Sequence, residues 1–235
     1  MKIYAIADLH LPGGQDKPMD IFGTHWEGHW EKIKRNWSEA ITPQDIVLVP
    51  GDISWAMTLE DALPDLDEIG DLPGTKILTK GNHDYWWSSV SRIREQAQES
   101  IHVIQNDSFK PTEMPGLAFC GTRGWIAPGA RGFTEHDEKI FHRELNRLRL
   151  SLDSAAEAHE IIVLLHFPPF DDKGRENEVF HLIRQYPVRH VIFGHLHGDG
   201  LRGVVEGEMD GLMYHLVSCD YLDFRPKLIE AKDEN

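Results

Sequence analysis

The stretch HVIFGHLHGD, residues 190–199, joins a run of β-branched and aromatic residues to two histidines that flank a leucine. The apolar run predicts a buried strand over 189–193 that ends at Gly194. Alternate residues of an extended segment point to the same side, so His195 and His197 can both face one cavity. Turn chemistry favours Asp, Asn and Gly at a strand end and does not explain two imidazoles there. These histidines therefore require partners from elsewhere in the chain.

Four other predicted strands end in residues of the same chemistry. These strands cover residues 2–7, 45–50, 75–80 and 160–166. The side chains at or just beyond their ends that can bind a metal or move a proton are Asp8, His10, Asp52, Asn82, His83, Asp84 and His166. One aspartate after one strand is an ordinary turn residue, but potential ligands after five strands are not expected of solvated turns.

Helical periodicity separates many of these strands. Helices are predicted over 26–40, 58–69, 88–99, 134–159 and 177–186, and further strands over 201–206, 212–218 and 225–230. Pro64 is expected to disturb the second helix. The alternation predicts an α/β architecture with a layered sheet core, in which ligands bind beyond the carboxyl ends of the strands. No repeat or linker divides the sequence, so residues 1–235 are predicted to form one domain.

The mixture of donors indicates the kind of ion. Histidine nitrogens with Asp and Asn oxygens, and no thiolate, suit Zn, Mn, Fe or Co better than Ca or Mg. There are more candidate ligands than one tetrahedral ion takes. Two ions that share a bridging carboxylate would use them all.

Composition limits the partners. The formal net charge is −15, from 24 Lys and Arg against 39 Asp and Glu. Such a surface repels duplex nucleic acid, although a bound cation can reverse the sign locally for a small phosphorylated substrate. Cys120 and Cys219 form no CxxC pair, which favours a reducing compartment. The short apolar start, interrupted at Asp8, predicts no membrane span, so we expect a cytoplasmic location and no membrane partner. The oligomeric state is left open.

In chain order the motifs read D-x-H, G-D, G-N-H-D, an isolated H and G-H-x-H, and they span residues 8–197. This ordered set resembles the calcineurin-like metallophosphoesterases. The resemblance implies a four-layer α-β-β-α sandwich with a mixed double sheet. It also implies two divalent transition-metal ions, Mn, Fe or Zn, at the strand ends.

The resemblance further implies a role for each matching residue. One ion would be held by Asp8, His10 and His197, with Asp52 as the bridge, and the second would be completed by Asn82, His166 and His195. His83 would be the catalytic histidine, and Asp84 the acidic partner that orients it.

These roles predict a metal-dependent phosphoester hydrolase. A hydroxide held by the two ions would attack phosphorus, and His83 would protonate the leaving group. We expect a small phosphomonoester or phosphodiester substrate, such as a nucleotide. Residues 53–57 read ISWAM where protein phosphatases carry a basic D-R-G segment, which argues against phosphoprotein substrates.

Several aromatic and basic residues near these motifs have two interpretations. Trp55, Trp86 and Trp87 could stack on a base or sugar, or pack against the core. Arg123 could bind phosphate in a bidentate manner, or form a surface ion pair. His25 and His29, near the first loop, are not expected to enter the site.

Two other classes of function compete with hydrolysis. One is a non-catalytic scaffold or interaction protein of the same fold, which would not need histidines in metal-binding spacing. The other is a mononuclear or redox metalloprotein, which would not need the surplus oxygen ligands or the pair His83-Asp84.

Overall fold

The structure is a computed structural model that describes residues 1–171 and 173–231. The strands are β1 (Lys2–Ala5), β2 (Ile46–Pro50), β3 (Thr75–Thr79), β4 (Ile101–Val103), β5 (Ser108–Phe109), β6 (Leu117–Thr122), β7 (Glu160–Leu165), β8 (Val188–Phe193), β9 (Gly207–Met209), β10 (Leu212–Leu216) and β11 (Lys227–Ala231). The helices are α1 (His29–Ala40), α2 (Leu59–Gly70), α3 (Val90–Gln96), α4 (Glu135–Asp153) and α5 (Glu178–Ile183). Short 3-10 helices lie at Met19–Phe22, Thr24–Trp26 and Gly198–Leu201.

The strands form two mixed sheets. The first has the order β11-β1-β2-β3-β4, in which β1 to β4 are parallel and β11 is antiparallel to β1. The second has the order β5-β6-β7-β8-β10-β9, in which the four central strands are parallel and both edge strands are antiparallel. The predicted mixed double sheet is confirmed.

The core consists of three apolar layers. Between the sheets, Leu48 of the first packs with Phe119 of the second, and both are fully buried. The outer face of the first sheet is covered by α1, through Trp37, and by α2. The outer face of the second is covered by α4 and α5 through Phe141 and Phe180. The four-layer α-β-β-α sandwich is therefore confirmed.

Helix α2 continues through Pro64, against the expectation that proline would disturb it. The proline removes one backbone hydrogen bond. Thr58 offsets part of this loss because its side chain accepts the Asp61 N–H at the start of the helix. Burial of Leu66 and Ile69 against the first sheet supplies the rest of the stabilisation.

Two other predicted elements differ from the structure. The strand predicted over 201–206 is wrong: a 3-10 helix and a turn lie there, because Gly198 and Gly203 have positive φ angles of 52° and 78°. Helix α4 ends at Asp153 rather than at 159, and a series of turns follows.

The two sheets meet at the carboxyl ends of their central strands. Ala7, just beyond β1, donates to the carbonyl of Val217 at 2.7 Å, and Cys219 donates to the carbonyl of Ala7 at 3.0 Å. This backbone pairing joins the end of β1 to the end of β10. Residues that follow strands of different sheets are thereby brought to one place.

Candidate metal centre

The strand ends bring the predicted ligands into two overlapping clusters. In one, ligand atoms of Asp8, His10 and His197 all lie within 4.8 Å of one another, and in the other those of Asp8, Asp52 and His166 do. Asp8 belongs to both clusters. Asp52, a member of the second cluster, also approaches the first, with Oδ2 3.5 Å from His166 Nε2 and 3.8 Å from His10 Nε2.

The two remaining predicted ligands lie around His166. Its Nε2 is 2.6 Å from Asn82 Oδ1 and 3.2 Å from His195 Nδ1. Its Nδ1 lies 3.1 Å from the carbonyl oxygen of Pro50, which holds the ring in place. All seven predicted ligands thus lie together, while the assignment of each to an ion stays a prediction.

Four of these ligands have left-handed backbones. The φ angles are 59° at Asp8, 48° at His10, 53° at Asp52 and 72° at His195. Residues with a Cβ seldom adopt this region, and such strain persists only where the surrounding structure enforces it. Strain at four ligands is typical of a preorganised site.

The glycines of the motifs allow the backbone to approach the ligands closely. A Cβ on Gly81 would lie 2.1 Å from both the backbone nitrogen and Oδ1 of Asp52. A Cβ on Gly194 would lie 2.5 Å from Asp8 Oδ2. Without that Cβ, the backbone N–H of His195 can donate to both Asp8 oxygens, at 3.2 and 3.0 Å.

Asp220 is a functional residue that the sequence analysis missed. Its Oδ1 lies 2.7 Å from His197 Nδ1, so it orients the imidazole. The signal was available, because Asp220 lies two residues beyond the predicted strand 212–218. Asp220 thus adds a sixth strand to the five that are followed by a residue able to bind a metal or to orient a metal ligand.

Burial and neighbouring charges shift the pKa values of Asp52 and Asp8 in opposite directions. Burial, with the nearby charges of Asp8 and Asp84, raises the pKa of Asp52 well above its ordinary value. Burial also acts to raise the pKa of Asp8, but the hydrogen bond from His197 and the neighbouring histidines outweigh it and hold that pKa well below its usual range.

The pKa values of the histidines are likewise shifted in opposite directions. Burial lowers the pKa of His10 and His195 to about 3, so both are neutral at pH 7 and have lone pairs for a metal. Burial also lowers the pKa of His197, but hydrogen bonds to Asp220 and Asp8 outweigh it and raise that pKa to about 10.

This set of donors fits divalent transition-metal ions. Neutral imidazoles stand beside two buried carboxylates, and His10 Nδ1 is buried without a hydrogen-bond partner in the ranges that the structure describes. Such a group is costly to bury unless it has a partner. A cation bound by nitrogen and oxygen donors would satisfy the cluster.

His83 lies beside the clusters at the wall of a cavity. Its backbone N–H donates to Asp52 Oδ1 at 2.8 Å, and its ring centroid is 4.5 Å from that of Trp55. The hydroxyl of Tyr85 lies 3.5 Å from His83 Nδ1. Burial, with the charges of neighbouring groups such as His166, lowers the His83 pKa.

Asp84, which is predicted to orient His83, forms its hydrogen bonds with other groups. The fully buried Asp84 carboxylate accepts five N–H groups, from the backbones of Gly81, Asp52, Ile53 and Ser54 and from the Trp86 indole. These bonds, of 2.7–3.2 Å, use its acceptor sites, and none of its hydrogen bonds within the described residues reaches the His83 ring. Asp84 instead joins the loops after β2 and β3.

The contacts of Arg123 match the ion-pair interpretation, and its contact with substrate stays a prediction. Its guanidinium bonds Glu144 at 3.2 Å and lies 4.5 Å from the Trp125 ring, and it lines neither of the two cavities beside the metal centre. The alternative, an ion pair, describes its position. Trp86 is buried against Asp84, and Trp87 donates to Gln105 at 3.1 Å, so both pack inside the protein.

A cavity of about 350 Å³ opens onto the clusters. Its lining side chains include the candidate ligands and their neighbours His10, Asp52, His83, His195, His197 and Asp220, together with Met19, Phe22, His25, Trp26 and Trp55. The exclusion of His25 from the site is therefore wrong. His29 lies behind the site, with Nε2 3.0 Å from the Leu9 carbonyl oxygen.

Comparison with known proteins identifies the family. Residues 1–199 match the model of the calcineurin-like phosphoesterases, so the chain belongs to that family. It is a hydrolase of phosphoric ester bonds, from a family that typically binds two divalent metals. A comparison with curated proteins gives no match.

Two solved structures are similar to this chain. Phosphopantetheinyl hydrolase (PptH) from Mycobacterium tuberculosis is 14% identical, with a TM-score of 0.56, and 98% of this chain covers 96% of that one. The protein of unknown function AQ665 from Aquifex aeolicus is 16% identical, with a TM-score of 0.45 and coverage of 97% and 95%. In the part of the chain that the structure describes, no helix combines the length and apolar character needed to cross a membrane.

Proposed function

We propose that this chain hydrolyses small phosphomonoesters or phosphodiesters, and that the ester carries an apolar or planar group. The observation that supports this most is the pair of overlapping His-carboxylate clusters at the floor of a cavity with aromatic walls. Two clusters that share Asp8 favour two ions over a mononuclear site. The intact donor set favours a hydrolase over a non-catalytic scaffold.

The residues divide between two ions in this proposal. Asp8, His10 and His197 would hold the first ion, Asn82, His166 and His195 would hold the second, and Asp52 would contribute to both. The mixed nitrogen and oxygen donors suit Mn, Fe or Zn. When bound, two such ions would neutralise the phosphoryl oxygens and supply the attacking hydroxide by acidifying a water molecule.

His83 supplies the proton for the leaving group. The new bond joins phosphorus to the water oxygen, the ester P–O bond breaks, and the departing oxygen takes its proton from the His83 ring. The Asp52 carboxylate holds the His83 backbone, and the Trp55 ring packs on the imidazole. Tyr85, rather than Asp84, is the side chain placed to orient the ring.

The cavity walls indicate the chemistry of the ester arm. Phe22, Trp26 and Trp55 line the cavity beside the candidate ligands, and the Trp55 ring stacks on that of His10 with centroids 4.9 Å apart. Lys17 Nζ lies 4.3 Å from the Trp55 ring centroid. An uncharged planar group would be buried there favourably, and Lys17 would attract the substrate anion.

The partner and location expectations remain part of this proposal. The partner is a small phosphorylated molecule, and the net charge of −15 disfavours duplex nucleic acid. A cytoplasmic location is supported by two buried free cysteines, Cys120 and Cys219.

The test is turnover of p-nitrophenyl phosphate and bis(p-nitrophenyl) phosphate by protein loaded with Mn²⁺, Fe²⁺ or Zn²⁺. We expect hydrolysis that a chelator abolishes and added metal restores. Phe22→Ala should raise KM, while Ile21→Ala, on a neighbouring exposed side chain outside the cavity, should not. Failure of every metal to support hydrolysis of either ester would contradict the proposal.

A further inference from the structure

A second apolar cleft lies on the other side of His195. Its volume is also about 350 Å³. It is formed by the loops that follow β6, β7 and β8, and its walls include Trp125, Ala130, Phe167, Phe170, Leu196 and Val205. Nothing in the proposed mechanism uses it.

This second cleft adjoins the metal centre at His195. His195 lines both the first cavity and the second cleft. The Phe167 ring centroid is 4.0 Å from that of His195, and the Trp125 ring centroid is 5.1 Å from that of Phe167. A group bound at the two clusters would therefore lie near both the first cavity and, past His195, the second cleft.

The charged groups along the second cleft are paired with one another or with a neighbour. Asp171 binds Arg175 at 2.5 Å, and Asp199 binds Arg202 at 2.9 Å. A charged ligand would have to compete with these pairs, whereas an uncharged apolar group gains from burial against Phe167 and its neighbours. The cleft therefore suits an uncharged arm better than a second phosphate.

We propose that the second cleft binds the second ester arm of a phosphodiester, so that the preferred substrate carries an apolar group on each side of phosphorus. This rests on the proposed hydrolase function and names its substrate class. Hydrolysis breaks one P–O bond and adds water, which gives an alcohol and a phosphomonoester. The monoester keeps one arm only and loses the contacts of the other side, which favours its release.

The test fills the second cleft and leaves the metal ligands in place. Ala130→Phe adds a ring from the cleft wall. Gly200→Phe does so from another side, where a Cβ meets only Leu196 at 3.7 Å or more. Ala156→Phe makes the same change at an exposed position near the amino end of β7, away from the strand ends that hold the ligands. Each variant is loaded with Mn²⁺ and assayed with both nitrophenyl esters.

We expect both cleft variants to lower kcat/KM for bis(p-nitrophenyl) phosphate by about tenfold or more, because burial of the second ring is lost. For p-nitrophenyl phosphate the value should stay within about twofold, and Ala156→Phe should change neither. If the diester and the monoester fall together, or if neither falls, the second-arm proposal is overturned while the hydrolase function stands. If the wild type hydrolyses neither ester, the hydrolase function itself fails.

Discussion

His197 differs from the other histidine ligands in how it is charged before metal binds. Its pKa of about 10, against an ordinary 6.5, means that it carries a proton at pH 7, whereas a metal ligand must be neutral. The same raised pKa means that its charge stabilises the metal-free fold fully below about pH 6.5, and that this stabilisation is lost as pH rises through 10. Metal binding must therefore displace a proton.

We predict that Mn²⁺ binding at pH 7 releases at least one proton per chain and tightens as pH rises. Calorimetry in two buffers of different ionisation enthalpy measures this release. Asp220→Asn keeps an oxygen for the His197 N–H but removes the negative charge that helps to raise the His197 pKa, so this variant should release fewer protons. Metal uptake without proton release would contradict the role assigned to the pair of Asp220 and His197.

His83 and Asp84 are adjacent in sequence but have different roles. His83→Ala should keep both metal ions and lose about 10²–10⁴-fold in turnover of esters with poor leaving groups. Tyr85→Phe should lose less, because it removes only an orienting contact. Turnover of alkyl and nitrophenyl esters, with metal content measured in parallel, checks this. Loss of an ion from His83→Ala would instead make His83 a metal ligand.

Asp84→Asn should act on stability. An amide nitrogen would face N–H groups where a carboxylate oxygen now accepts them, so we expect a loss of about 2–4 kcal/mol in the free energy of unfolding. Asp16→Asn, at an exposed position of the first loop, should change it by less than about 0.5 kcal/mol. Urea unfolding of the metal-free proteins measures both. Equal stability of the two variants would refute this role of Asp84.

The convergence of the candidate ligands could be predicted from the sequence, but the hydrogen-bond partners of their neighbours could not. Asp8, His195 and the others follow strands at a spacing that points them into one cavity, and this is visible in sequence. The hydrogen bonds of Asp84 depend on how the loop after β3 folds over the loop after β2. That arrangement is set by tertiary packing rather than by local spacing.

At the element scale, the turn after β2 depends on the absence of a side chain. Gly51 has a φ of 89°, and a Cβ there would lie 2.6 Å from Gly81 Cα and 2.8 Å from His166 Nδ1. Gly211 has a similar φ of 82° but nothing within 4 Å of a Cβ. A side chain at either glycine would therefore be strained by the left-handed backbone. Only at Gly51 would its Cβ also clash with neighbouring atoms.

We predict that Gly51→Ala displaces the Asp52 turn and loses metal binding and activity, while Gly211→Ala keeps both. The positive φ lowers the stability of each variant by about 1 kcal/mol. A difference between their metal affinities is therefore due to the clash of the new Cβ at position 51. Titration with Mn²⁺ measures it. Equal affinities would mean that the close approach at Gly51 does not position the ligands.

The strands and most helices could be predicted because their periodicity is strong. Helix α2 passes through Pro64 because burial of its apolar face outweighs a single lost hydrogen bond. Residues 201–206 form no strand, because the apolar residues Val204 and Val205 pack beside the second cleft rather than in a sheet. Apolar character alone does not distinguish these two environments.

At the scale of the whole molecule, the metal centre depends on the junction of the two sheets. Asp8 and Asp52 come from the first sheet, and His166, His195 and His197 come from the second. The pairing of Ala7 with the end of β10 brings them within reach of one another. The resemblance in motif order predicted this sandwich, whereas periodicity alone predicted only an α/β layering.

The number of ions bound by purified protein, after loading with Mn²⁺ and removal of free ion, distinguishes a dinuclear hydrolase from the alternatives. We predict two ions per chain for the wild type, together with hydrolysis of a nitrophenyl ester. Asp52→Asn, which keeps an oxygen for the His83 N–H, should lose at least one ion and the turnover. A wild type that binds no ion, or an Asp52→Asn variant that keeps both ions and full turnover, would contradict this prediction.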